Sequence, residues 1–137
     1  MAASAAHANE ATRQKLARGL ALNRISFGAG LILAPGLYAR TWVGKDAARQ
    51  DPTKLLARAL GARDLALGAG GLLALRAGDA NRTRRWFAAQ GMTDAVDLVA
   101  TLAARDVPLP ARAFAAVMAA GSTAIAAYVC STSTPAD

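Results

Sequence analysis

Four apolar stretches, about 19–42, 55–77, 86–104 and 112–130, follow one another in a chain of 137 residues with only short polar connections between them. Each comes close to the roughly 20 residues that a helix rising ~1.5 Å per residue needs to cross ~30 Å of hydrocarbon. Such a pattern predicts an all-α fold in one unit, a four-helix transmembrane bundle over 16–131. A flexible N-terminal tail is expected over 1–15 and a C-terminal tail over 132–137. The connections at 44–54, 78–85 and 105–110 read as loops from their Gly, Pro and charged residues. Pro35-Gly36, inside the first stretch, kinks it or ends its regular helix early.

Composition matters here because it weakens the apolar signal. Hydrophobic residues make up 54% of the chain and charged residues 18%, and much of the apolar content is Ala and Gly. A soluble Ala-rich four-helix bundle is therefore the alternative fold. Two other features favour the membrane. Tyr38, Trp42, Trp86 and Tyr128 all fall near the ends of expected spans, where amphipathic rings prefer the lipid–water boundary. Gly28, Gly30, Gly61, Gly68, Gly70 and Gly71 would weaken helices in water but permit close helix approach in lipid.

The formal net charge of +7 does not point to nucleic acid, since the basic residues are scattered and no aromatic side chains interleave with them. Cys130 is the only cysteine and His7 the only histidine, so no disulfide within the chain, no cysteine metal cluster and no histidine triad can be built. No metal site and no cofactor are expected. Arg13, Lys15 and Arg18 precede the first apolar stretch as in a signal peptide, but Asn23 and Arg24 interrupt it, so it reads as a retained first span. Lys and Arg divide seven against seven between the two sides. The Arg82–Arg85 cluster lies close to a span, which favours both termini in the cytoplasm of a multi-pass inner-membrane protein.

The most informative residues are ionisable groups far from the span ends: Arg24; Arg63 and Asp64; Asp94 and Asp97. A charge at mid-span costs about 2.5–3.5 kcal/mol, so these groups must pair, titrate or reach water. With alternating span directions, Arg24 lies about 8 Å from the N-terminal side, Asp94 about 12 Å, Asp97 about 16 Å and Arg63 about 20 Å. Opposite charges thus fall at adjacent levels. Contacts Arg24–Asp94 and Arg63–Asp97 are predicted, with Asp64 and Asn23 nearby. Gln90, Asp94 and Asp97 share one helix face, a polar stripe expected to face inward. A short likeness between the stretches beginning at Arg24 and at Arg63, each leading into glycines, is compatible with a duplication or with common packing needs.

The run from Arg58 to Gly68, which includes Arg63-Asp64, together with Asn23-Arg24 and Asp94-Ala-Val-Asp97, resembles a pattern in small four-span actinobacterial membrane proteins of unknown function. The resemblance covers about 16–130 and implies the four-span fold, without implying an activity.

Three functional classes follow. The leading one is binding of a lipophilic small molecule or a membrane-protein partner through a polar-lined interior formed by Asn23, Arg24, Arg63, Asp64, Gln90, Asp94 and Asp97. An enzymatic alternative is an embedded isomerase, cyclase or hydrolase with Asp94 or Asp97 as general acid/base and Arg63 orienting the substrate. A third is a proton-coupled transporter subunit working as a homo-oligomer. Beside all three stands the bland reading, in which the charges only fix helix register.

Overall fold

The computed structural model describes the backbone of residues 2–131 and the side chains of 7–131. The tail expected over 132–137 lies outside the described residues. Six helices and no strand occur among them: α1 (Ala2–Leu33), α2 (Pro35–Val43), α3 (Lys45–Arg49), α4 (Asp51–Arg76), α5 (Ala80–Ala103) and α6 (Leu109–Ser131).

The stretch expected to be a loose tail is instead the start of α1. Its alanines are the best helix formers, and local side-chain bonds support them. Arg13 Nε donates to Glu10 at 2.8 Å, Gln14 to Glu10 at 2.9 Å, and Thr12 Oγ1 to the Ala8 carbonyl at 2.9 Å. A helix already anchored downstream needs no apolar periodicity to extend this way.

The first apolar stretch, expected to run from 19 to 42, is broken in two. Pro35 has no N–H and pushes the preceding residue out of helical geometry, and Ala34 indeed sits at φ −133°, ψ 57°. Past this break α2 turns back on α1. The Tyr38 ring lies against Gly30, where any side chain would collide with it. Phe27 meets Tyr38 edge-on at 5.6 Å between ring centres and Trp42 at 5.3 Å. In a straight helix Phe27 and Trp42 would stand about 22 Å apart, so the two aromatics placed at a span end are folded inward.

Four long helices form the body. α1 packs chiefly on α4 and α5 on α6, and the pairs meet along α4–α5 and α1–α6. The α1–α4 contact depends on absent side chains. A Cβ at Gly28 would stand 2.6 Å from the Gly61 carbonyl oxygen, one at Gly61 2.6 Å from that of Gly28, and one at Gly68 2.7 Å from that of Ala21. At the α4–α5 turn Gly78 takes φ +67°, and Asp79 then caps α5 by accepting from the Arg82 N–H at 2.8 Å. One apolar cluster gathers around Ala17, Ala21, Leu72, Phe87 and Val129, and another around Leu31, Ala39, Ala48 and Ala57.

Two helices, α1 from His7 to Leu33 and α6, are long and apolar enough to cross a membrane. α4 and α5 correspond to the other two expected spans but do not meet that measure. Arg58, Arg63 and Asp64 interrupt the first, and Gln90, Asp94 and Asp97 the second.

Candidate functional site

The α1–α4 crossing builds the site from the backbone outward. Ala21 and Gly28 on α1 face Gly68 and Gly61 on α4, and each pair brackets one ionisable residue, Arg24 on one helix and Asp64 on the other. Because the backbones touch, these side chains must meet in the seam. Arg24 Nη1 donates to Asp64 Oδ1 at 2.9 Å, with Arg24 only 4% exposed and Asp64 6%.

α5 supplies the remaining carboxylates. Asp94 lies against Arg24, Nη2 to Oδ2, as an ion pair without hydrogen-bond alignment. Asp97 takes a two-point grip from Arg63, whose Nη1 reaches Oδ1 at 3.2 Å and whose Nη2 reaches Oδ2 at 2.6 Å. Arg63 also donates to Asp64 Oδ1 from Nε at 3.3 Å and from Nη2 at 3.2 Å. Asp64 thereby bridges both arginines, so the five side chains form one continuous network. Such pairing is what permits charge at this depth, since removing one member would strand its partners in a poorly solvated place.

Both predicted contacts, Arg24–Asp94 and Arg63–Asp97, are present. Asp64 is more than a neighbour, being the link between them. Asn23 is exposed and lines the adjoining cavity. Gln90 continues the inward stripe but does not line that cavity. Fully buried against Gly71, its Nε2 donates to the Leu67 carbonyl at 3.0 Å and so clamps α5 to α4. Besides the ion-paired Arg24 Nη2 and Asp94 Oδ2, two further buried polar atoms, Gln90 Oε1 and Arg24 Nε, have no hydrogen-bond partner among the described residues.

Beside the network opens a cavity of about 500 Å³. Its polar end holds the five networked residues with Asn23 and Ser122, and its walls include Phe27, Trp42, Val43, Leu60, Phe114 and Met118. This volume falls within the range of small-molecule sites. Sequence reasoning missed these walls and Arg112, which also lines the cavity. Trp42 and Val43 arrive only because α2 folds back, which no spacing rule shows. Arg112 was legible as a lone basic residue in the first turn of the most apolar helix.

Among the described residues, no group of three His, Cys, Asp or Glu side chains is arranged to hold a metal ion. No protein-family model, curated protein or solved structure matches this chain.

Proposed function

We propose that this chain is a multi-pass membrane protein whose four long helices form a transmembrane bundle, with both termini cytoplasmic, that binds an amphipathic small molecule in its polar-ended cavity. The supporting observation is an inverted distribution of polarity. Arg24, Asp64, Asp94, Gln90 and Thr83 are buried, while Leu33, Leu55, Leu56, Val99, Leu109 and Val117 are between 67% and 82% exposed. Burying such a side chain fully is worth about 1.5–3 kcal/mol in water, and a soluble fold of this size would leave much of that unrealised. Lipid around the bundle removes the penalty. Exposed apolar surface on this scale otherwise marks an interaction site.

Apolarity falls where charge is buried, so α4 and α5 insert as members of an ion-paired group. The resemblance to small four-span membrane proteins belongs to this proposal. Ligand binding rather than acid–base chemistry is favoured because the carboxylates of Asp94 and Asp97 are each already engaged by a guanidinium, while the apolar walls beside them are free.

Fractionation tests the first half: the protein is expected to remain in carbonate-washed membranes and leave them only with detergent. Recovery in the soluble fraction would sink the bundle-in-lipid reading in favour of the Ala-rich soluble alternative. For the second half, Ala115→Trp fills the cavity and is expected to abolish retention of a fluorescent long-chain alcohol that the unaltered protein holds in detergent. Equal retention by both proteins would remove the cavity as the binding site.

A further inference from the structure

Arg112 stands apart among the ionised side chains around the cavity. Arg24 and Arg63 each contact two carboxylates, and each carboxylate contacts at least one guanidinium. Arg112 is half-buried, lines the same cavity from α6, and its side chain has no hydrogen bond or ion pair with any described residue.

Its place on the helix adds a second, independent observation. The Arg112 N–H donates to the Pro108 carbonyl at 3.0 Å, so the residue sits on the opening turn of α6, which contains no acidic side chain. A helix N-terminus already carries partial positive charge and favours anions. Guanidinium and helix dipole thus add their positive potentials at one cavity edge, where the nearest acid along the chain, Asp106 in the preceding turn, is exposed and does not line the cavity.

The register between α5 and α6 shows how far this edge lies from the carboxylates. A Cβ at Gly91 would meet the Ala126 Cβ at 3.1 Å, which puts Asp97 level with about residues 119–120 of α6, some seven residues or ~11 Å along the axis from Arg112. Asp94 is farther still. Between the two ends the wall is mostly apolar, with Ala104, Phe114, Ala115 and Met118 beside the Thr101 hydroxyl.

We infer that the cavity takes a single-chain amphipathic anion of the long-chain carboxylate class, with its carboxylate on Arg112 and its chain along Phe114, Met118 and Trp42. This rests on the cavity-binding reading above and adds the charge and orientation of the ligand. A lipophilic cation is disfavoured, because each carboxylate it would seek already has a guanidinium.

The test uses the full chain in a neutral maltoside detergent, titrated with three fluorescent probes of matched chain: a carboxylate, an alcohol and a trimethylammonium. The carboxylate is expected to bind at least about tenfold more tightly than the others, the margin of one charge-assisted contact. Arg112→Gln removes that margin while leaving the alcohol unchanged, Arg112→Lys restores part of it, and Arg85→Gln on the exposed surface keeps it. Equal affinity for all three probes overturns the anion assignment and leaves the cavity reading standing. Tightest binding of the trimethylammonium probe also overturns it. Failure of every probe to bind a folded protein overturns both. Should Arg112→Gln not fold, the three-probe comparison on the unaltered protein still decides. In phosphatidylcholine nanodiscs, added phosphatidylglycerol is expected to leave carboxylate binding intact; displacement would overturn the single-chain ligand in favour of bilayer lipid.

Discussion

The two helix pairs of this molecule solve the same packing problem with opposite materials. α4 buries Ala57, Gly61, Asp64, Gly68, Gly71, Leu72 and Ala74, mostly small residues around a charge, whereas α6 is more apolar and buries only Ala126 and Val129. The α1–α4 seam is held by backbone proximity and ion pairing. α5 and α6 meet through larger side chains, Phe87 and Val129 among them. Apolarity in this chain therefore reports what faces outward, and small size with paired charge reports what faces inward. That is the arrangement expected when the surroundings are lipid, which gives apolar side chains no reason to move inside.

The comparison breaks most sharply at Arg24. Arg24→Met leaves the Asp64 and Asp94 carboxylates without their shared cation, and is expected to cost about 3–5 kcal/mol in a denaturant titration in detergent. Loss of less than about 1 kcal/mol would mean that the seam does not depend on its charge.

A substitution identical in chemistry then separates the pairs by sign. Gly28→Ala drives a Cβ into the Gly61 carbonyl and is expected to lower stability by about 1–3 kcal/mol. Gly121→Ala on α6, where nothing lies within 4 Å, should instead raise it by about 0.4–1 kcal/mol through the restricted unfolded chain. Thermal unfolding of the two variants side by side decides the point, and matching signs would mean that the α1–α4 contact does not depend on the bare backbone at Gly28.

Gln90→Leu probes the join between the pairs. Loss of its donation to the Leu67 carbonyl is expected to cost about 1 kcal/mol, read as earlier unfolding with α5 amides exchanging faster than those of α1. Uniform exchange would show that the clamp is not local to the α4–α5 contact.

Smallest of all is the effect at Asp51, outside the apolar part of α4. A hydrogen bond from Lys54 at 2.9 Å holds its carboxyl below the ordinary carboxylate value. A lowered folded value contributes stability above the unfolded pKa and loses it as pH falls through the folded one. The group is fully exposed, so Asp51→Asn should leave the melting temperature at neutral pH unchanged. Carbon-detected NMR titration should still find the carboxyl titrating below about 3.9, and above that value the Lys54 contact would have no thermodynamic content.

Arg24–Asp94 and Arg63–Asp97 could be read from the chain because axial level along a helix is simple arithmetic. Asp64 as the bridge could not, because joining two arginines depends on rotation about the helix axes and on how closely they approach. Gly28, Gly61 and Gly68 carried a hint of that closeness, but not which helices would touch. The return of α2 escaped for a related reason. Pro35 announces a break, while the direction after it is set by Tyr38 finding the bare backbone at Gly30 and by Trp42 finding Phe27, contacts within one apolar stretch that looks continuous. The helical start of α1 was hidden differently, since alanine helices sustained by local pairs such as Glu10–Arg13 carry no apolar period. Arg112 was visible as a residue and unremarkable as a charge until the fold placed its side chain on the cavity without an ion pair to any described residue.

The bridge at Asp64 also imposes an order in time. Arg24 is made forty residues before Asp64, which at a synthesis rate of about 5–20 residues per second is a wait of about 2–8 s. Asp94 comes later again. In the transmembrane bundle proposed above, α1 would carry an uncompensated guanidinium during that interval, with its stable resting place at the watery edge of the membrane rather than its middle. In that bundle, settling of the first helix would be tied to the arrival of α4 and α5, and the ribosome's pace would become part of how the chain is assembled.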